Sequence, residues 1–123
     1  MTRICLLVAF LVAGILADEE ARRGLYSSEF DNLDVEAILN DDAERDKYYA
    51  CLMDTGPCHS EAAVFFKDLV PEVVVTSCKY CTPRQLEIFG KIVTWYIDNK
   101  SKEWKELVVK TIEDARKRGL LDY

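Results

Sequence analysis

"CLMDTGPCHS" (residues 51–60) opens on a cysteine and carries a second seven positions on, and "CKYC" (residues 78–81) repeats the arrangement more tightly. What two close pairs mean depends on the redox compartment, and the N-terminus bears on that. "MTRICLLVAFLVAGILADEE" (residues 1–20) has one arginine, Arg3, then an unbroken apolar run over residues 4–16, then Ala17 and acidic residues. A basic start, a short apolar core and a small residue before a polar stretch mark a secretory signal peptide. The run is shorter than the ~20 residues a spanning helix needs. Cleavage is expected after Ala17. That gives a leader of residues 1–17 and a single domain over residues 18–123, secreted into extracellular fluid. Cys5 leaves with the leader. Cys51, Cys58, Cys78 and Cys81 remain, and an even count in a secreted chain reads as two disulfides. Four cysteines allow three pairings, and spacing alone does not choose among them.

The chain holds 22 acidic against 16 basic residues, a net charge of −6. That balance argues against nucleic acid, whose affinity comes largely from Lys and Arg on phosphates. Beyond an irregular N-terminal arm, residues 18–32, nearly everything reads helical. Asp34 is a plausible N-cap for "LDVEAILN", and the helical spacing continues into "DDAERDKYYACLMD" until Gly56 as C-cap and Pro57 beyond it. Ser60 caps "EAAVFFKDLV", with Ala62, Phe65, Phe66 and Leu69 at i, i+3, i+4 and i+7. "PEVVVTSC" suits a strand by propensity. With no second strand to pair with, it is read as a helical turn or two. "TPRQ" is a strong start, with Thr82 as N-cap, Pro83 first in the helix and Gln85 at the capping-box position. That helix is apolar on two faces, one through Leu86, Phe89, Val93 and Tyr96, the other through Ile88, Ile92 and Trp95. Ser101 caps the last helix and Gly119 ends it. The fold class is all-α, five to six short helices.

Other chemistries find little support. C-x2-C is a zinc-type spacing, but C-x6-C is not its usual partner, and the compartment is oxidising. A redox "CKYC" wants a β-α-β context, which is missing. His59 stands alone in a turn. Asp41/Asp42 and Glu113/Asp114 read as solvated helix faces. "DNLDVEAILNDD" lacks the central glycine of a calcium loop. Asn99-Lys100-Ser101 is a glycosylation sequon. No catalytic residue, metal site or cofactor is expected. What remains is an excess of large apolar groups, which either fill the core or line a cavity. Composition leaves both readings open.

"FDNLDVEAILN", "YYACLMDTGPC", "CKYCTPRQ" and "NKSKEWKEL" together resemble the insect chemosensory proteins, also called the olfactory-segment-D family, over roughly residues 26–107. The family pattern is C-x6-C, about eighteen residues, then C-x2-C, and that spacing together with the D-N-x-D segment is specific. The resemblance implies helices around an apolar channel and disulfides between neighbours, Cys51–Cys58 and Cys78–Cys81. It implies a non-enzymatic carrier of small apolar ligands such as long-chain alcohols, esters and fatty acids. By position, Phe30 matches the family's N-terminal channel tyrosine, losing the polar hydroxyl, and Trp104 its tryptophan on the fifth helix. Helix faces add Leu39, Tyr49, Phe65, Leu69, Phe89, Ile92 and Tyr96 to the expected channel wall. Two further departures concern spacing and the C-terminus. The spacer between the cysteine pairs is one residue longer than usual. No Pro or Gly lies between Lys100 and Arg118, so the fifth helix is expected to run on and the family's sixth to be merged or lost. This bears on how one channel mouth closes.

The leading expectation is therefore a monomeric secreted carrier, without nucleic-acid or membrane partners. The alternative is a secreted interaction or signalling protein whose apolar faces, an exposed Trp95 stripe above all, meet a receptor or other protein partner. A thiol–disulfide oxidoreductase at Cys78/Cys81 is the third.

Overall fold

A computed structural model describes residues 24–121. The expected leader, Cys5 and the first part of the arm lie outside the described residues. Among the described residues every regular element is helical.

Asp34 opens α1 (Val35–Asn40) by accepting from the Ala37 amide at 3.1 Å. The helix then breaks where the sequence suggested continuity. Asp41 takes an extended backbone, φ −103° and ψ 104°, and its carboxylate accepts from the Glu44 amide, so α2 (Asp42–Leu52) starts with its own cap. Asp41 is thus a cap and not merely a solvated acid. Gly56 does not end α2; Met53 stands at the C-cap and Asp54 takes a φ of +59°. Gly56 serves another need. A Cβ there would lie 3.0 Å from that of Ala50, so the bare backbone lets the turn rest on α2.

Ser60 caps α3 (Glu61–Thr76), accepting from the Ala63 amide at 3.1 Å. The valine stretch is helical, as read, and continues the preceding helix: α3 runs through Pro71 for 16 residues in all. An interior proline costs roughly 3 kcal/mol. Burying Phe66, Val70 and Val73 returns roughly 1.5–3 kcal/mol each, so packing overrides the breaker. The helix ends on two left-handed residues, Ser77 and Cys78, whose amides both donate to the Val73 carbonyl.

Thr82 and Gln85 form the expected capping box of α4 (Pro83–Asn99), at 3.0 and 2.9 Å. The same two side chains hold the irregular arm: Thr82 Oγ1 donates to Asp31 Oδ2 at 2.9 Å and Gln85 Nε2 to the Ser27 carbonyl at 2.8 Å. A single residue, Lys100, separates α4 from α5 (Ser101–Lys117). Ser101 is already helical and does not cap; no side chain caps this start. The Lys100 amide instead donates to the Tyr96 carbonyl at 2.7 Å, and its carbonyl accepts from Trp104 at 3.0 Å. As expected, α5 runs on to Lys117, and Gly119, at φ +73°, turns the chain away.

Five helices are described. Their principal contacts are α1 with α2, α2 with α3, α3 with α5, α5 with α4, and α4 with α1. That order closes a ring. No helix occupies its centre. Val35, Leu39, Ile88 and Tyr96 form the buried cluster, with Tyr49, Ile92, Trp95 and Trp104 packed against it.

Candidate functional site

The ring encloses an apolar cavity of about 560 Å³, to which all five helices contribute. Of the residues expected in a channel wall, Leu39, Tyr49, Phe89, Ile92, Tyr96 and Trp104 line it. Phe30, Phe65 and Leu69 are not among the lining residues. Phe30 reaches it through Phe65: its ring lies 5.0 Å from Phe65, and Phe65 lies 5.2 Å from the lining Phe66. Phe66, Val70, Val73 and Val74 are the α3 residues that line it. Periodicity could not select them over Phe65 and Leu69, because α3 is apolar nearly all round. From α5, Leu107 and Thr111 join Trp104 at i, i+3 and i+7, a helical spacing that the sequence itself displays.

The mouth can be located from exposure. Leu86, Gly90 and Thr94, successive positions of one α4 stripe, line the cavity yet face solvent, as does Ser77 beside the second disulfide. Leu86 is 58 % exposed. A Cβ on Gly90 would meet nothing within 4 Å.

The polar groups of the wall are few. Tyr49 donates its hydroxyl to the Glu103 carbonyl at 3.0 Å, tying α2 to α5, and burial followed by the nearby Glu106 and Glu103 raises its ionisation above the ordinary phenol value. Burial pushes Tyr96 up to about 12, so it stays neutral. Thr111 donates to its own helix at the Val108 carbonyl. A charged group on the wall, Arg45, was not anticipated. It occupies the inner stripe Arg45, Tyr48, Tyr49, Leu52 of α2, at i, i+3, i+4 and i+7, where an apolar residue would be ordinary. Its guanidinium donates to the Leu39 carbonyl at the end of α1 and sits 4.4 Å from the centre of the Trp95 ring. Trp95 is therefore half-buried, packed against the core cluster, and not the fully exposed stripe the alternative reading asked for.

The disulfides pair neighbours, Cys51 with Cys58 and Cys78 with Cys81. Each closes a turn, and neither crosses the ring. His59 rests on Tyr48 at 4.8 Å and bonds Glu44. Asn99, of the sequon, donates its side-chain nitrogen to the Trp95 carbonyl. Among the described residues no helix is long and apolar enough to cross a membrane.

The family described as the insect pheromone-binding family, A10/OS-D, matches residues 26–118. The chain belongs to that family. Among OS-D relatives, ejaculatory bulb-specific protein 3 of Drosophila melanogaster is 33 % identical over 105 residues, covering 85 % of this chain and 81 % of that protein. Allergen Tha p 1 of Thaumetopoea pityocampa is 29 % identical over 85 residues, 69 % of this chain and 67 % of that protein. A solved structure, a chemosensory protein in complex with bromo-dodecanol, shares the fold. Its TM-score is 0.68 at 24 % identity, over 79 % of this chain and 97 % of that one. The OS-D fold thus accounts for the helical ring and for the resemblance carried by the cysteine spacing.

Proposed function

We propose that this chain is a secreted carrier that binds small apolar ligands inside its helical ring and catalyses nothing. One observation carries the reading: an apolar cavity of about 560 Å³ lies at the centre of the chain. Protein interiors rarely leave voids much larger than a water molecule, and small-molecule sites typically measure ~300–1,000 Å³. Membership of a pheromone-binding family supports it, as does the bromo-dodecanol in the chemosensory protein of like fold. Leu39, Tyr49, Phe89, Ile92, Tyr96 and Trp104 would form the contact wall, joined by Phe66, Val73 and Leu107. Phe30 and Phe65 would back that wall through Phe66, and Leu69 would stand behind it. Binding would be driven by burial, so each added methylene should tighten it about fourfold, at ~0.8 kcal/mol, until the cavity is full.

The test is a tryptophan-fluorescence titration of the delipidated, disulfide-intact chain with alcohols and acids of increasing length. Trp104 lines the cavity and reports directly. Saturable quenching that strengthens with length and then levels off is expected. A flat or non-saturating response across the series would sink the carrier reading.

A further inference from the structure

One part of the cavity wall is built to hold more than hydrocarbon. Arg45 is only 5 % exposed. Its Nη1 donates to the Leu39 carbonyl and to Asp42 Oδ1, each at 2.9 Å, and its Nη2 lies 3.6 Å from Asp46 Oδ1. The third nitrogen, Nε, is buried and has no hydrogen-bond partner. The side chains of Asp42 and Asp46 are 88 % and 65 % exposed. Water screens their charge, whereas the guanidinium is sunk in the wall. Its positive charge is therefore poorly balanced on the inner side.

Tyr96 stands close by. Arg45 covers Trp95, and Trp95 meets Tyr96 edge-on with ring centres 5.0 Å apart. Tyr96 is 6 % exposed and lines the same cavity. Its hydroxyl has no hydrogen-bond partner among the described residues. The guanidinium's charge reaches it, pulling its ionisation back against the larger effect of burial. Two other hydroxyls of the wall are tied to backbone, that of Tyr49 to Glu103 and that of Thr111 to Val108. Buried polar groups are nearly always paired. Here one buried donor, the cationic Nε–H of Arg45, goes without, and the phenolic O–H of Tyr96 stands on the same apolar wall. Their common complement is an acceptor with two oxygens.

We infer that Arg45 and Tyr96 form a head-group subsite for the carboxylate of a long-chain acid, one oxygen on Arg45 Nε–H and the other on the Tyr96 hydroxyl. The inference rests on the carrier reading and narrows its ligand class. An ionised oxygen makes hydrogen bonds roughly twice as strong as a neutral one. The buried guanidinium offsets the desolvation that otherwise bars a carboxylate from an apolar interior. A primary alcohol offers one weak acceptor, and an alkane offers none.

Displacement of a fluorescent apolar probe from the disulfide-intact chain by dodecanoate, methyl dodecanoate, dodecan-1-ol and dodecane tests it at neutral pH. Dodecanoate is expected to bind about tenfold tighter than dodecan-1-ol, the alkane most weakly. Tyr96→Phe keeps the ring, and Arg45→Lys keeps the charge while removing Nε. Each should reduce the acid-to-alcohol ratio several-fold, and that ratio is insensitive to a general loosening of the cavity. Acid binding no better than alcohol in the native chain overturns the inference. So does a ratio that survives both substitutions. In either case the carrier reading stands if the alcohol still saturates. The native ratio decides even where a variant fails to fold. If none of the four displaces the probe, the carrier reading fails and the subsite with it.

Discussion

At Tyr49 a phenol spans two helices, its ring on the cavity and its hydroxyl on the Glu103 carbonyl. Tyr49→Phe removes the bond and keeps the ring, so the fold should lose about 1 kcal/mol, seen as a lower denaturant midpoint at unchanged slope. Asp54 holds the ring from outside. Lys110 of α5 and Lys67 of α3 both reach it, and their hydrogen bonds bring its carboxyl from 3.8 down to about 2. A carboxyl depressed in the folded state stabilises the fold above its unfolded value, and that contribution fades as pH falls from about 4 toward about 2. The side chain is 55 % exposed, so the effect is small. Asp54→Asn should flatten the acid limb of stability in that window and lower stability slightly at neutral pH, as measured by urea unfolding at each pH. At this scale the legible residues were those on clean helical stripes: Leu39, Tyr49, Phe89, Ile92, Tyr96 and Trp104. Arg45 escaped because a hydropathy pattern treats a charged residue as outward-facing, while its stem and stacked head can lie inside.

Helix starts were readable at most local caps, Asp41 being the exception. Asp34, Ser60 and the Thr82/Gln85 box need only three or four residues to form, and the sequence contains all of them. Thr82 also bonds Asp31, so Thr82→Ala should cost about 1–2 kcal/mol, at the upper end of a capping loss. Helix ends were less readable. Asp54, Ser77 and Cys78 adopt left-handed backbone without glycine, and Pro71 is overridden by burial that no local rule contains. Gly90, inside α4, departs in the opposite direction. Mid-helix glycine costs roughly 0.5–1 kcal/mol against alanine, and nothing fills the space before it. Gly90→Ala should raise the melting temperature. Gly90→Trp should leave the helix intact and slow ligand exchange, measured by stopped-flow displacement, because the position rims the mouth. The two disulfides belong to this scale too. In the loop-entropy picture, opening Cys51–Cys58 costs ~2.5 kcal/mol and Cys78–Cys81 ~2 kcal/mol.

Over the whole molecule, the all-α class and the paired cysteines could be read from the chain, while the closed ring could not. Ring order depends on which helix faces meet at long range, and α5 enters between α3 and α4 although it follows both in sequence. Amphipathic patterns say that a face is covered, not by what. The cavity is a property of that closure, and so is its response to a ligand. An occupant at a hundred times its dissociation constant should add ~2.7 kcal/mol to stability, raising the melting temperature by several degrees. Val73→Phe, which grows into the cavity from α3, should abolish that rise while leaving the helical content unchanged, as judged by circular dichroism with and without dodecan-1-ol.

The position of α5 in the ring also sets a timetable. A ribosome releases α1 to α4 first, and these can make only an open arc, since the seams to α3 and to α4 both wait for one helix. Until Leu107 and Thr111 have emerged, the inner wall is wet and no hydrophobic cargo can be sealed in. The nascent chain is therefore expected to take cargo only once α5 has emerged and closed the ring.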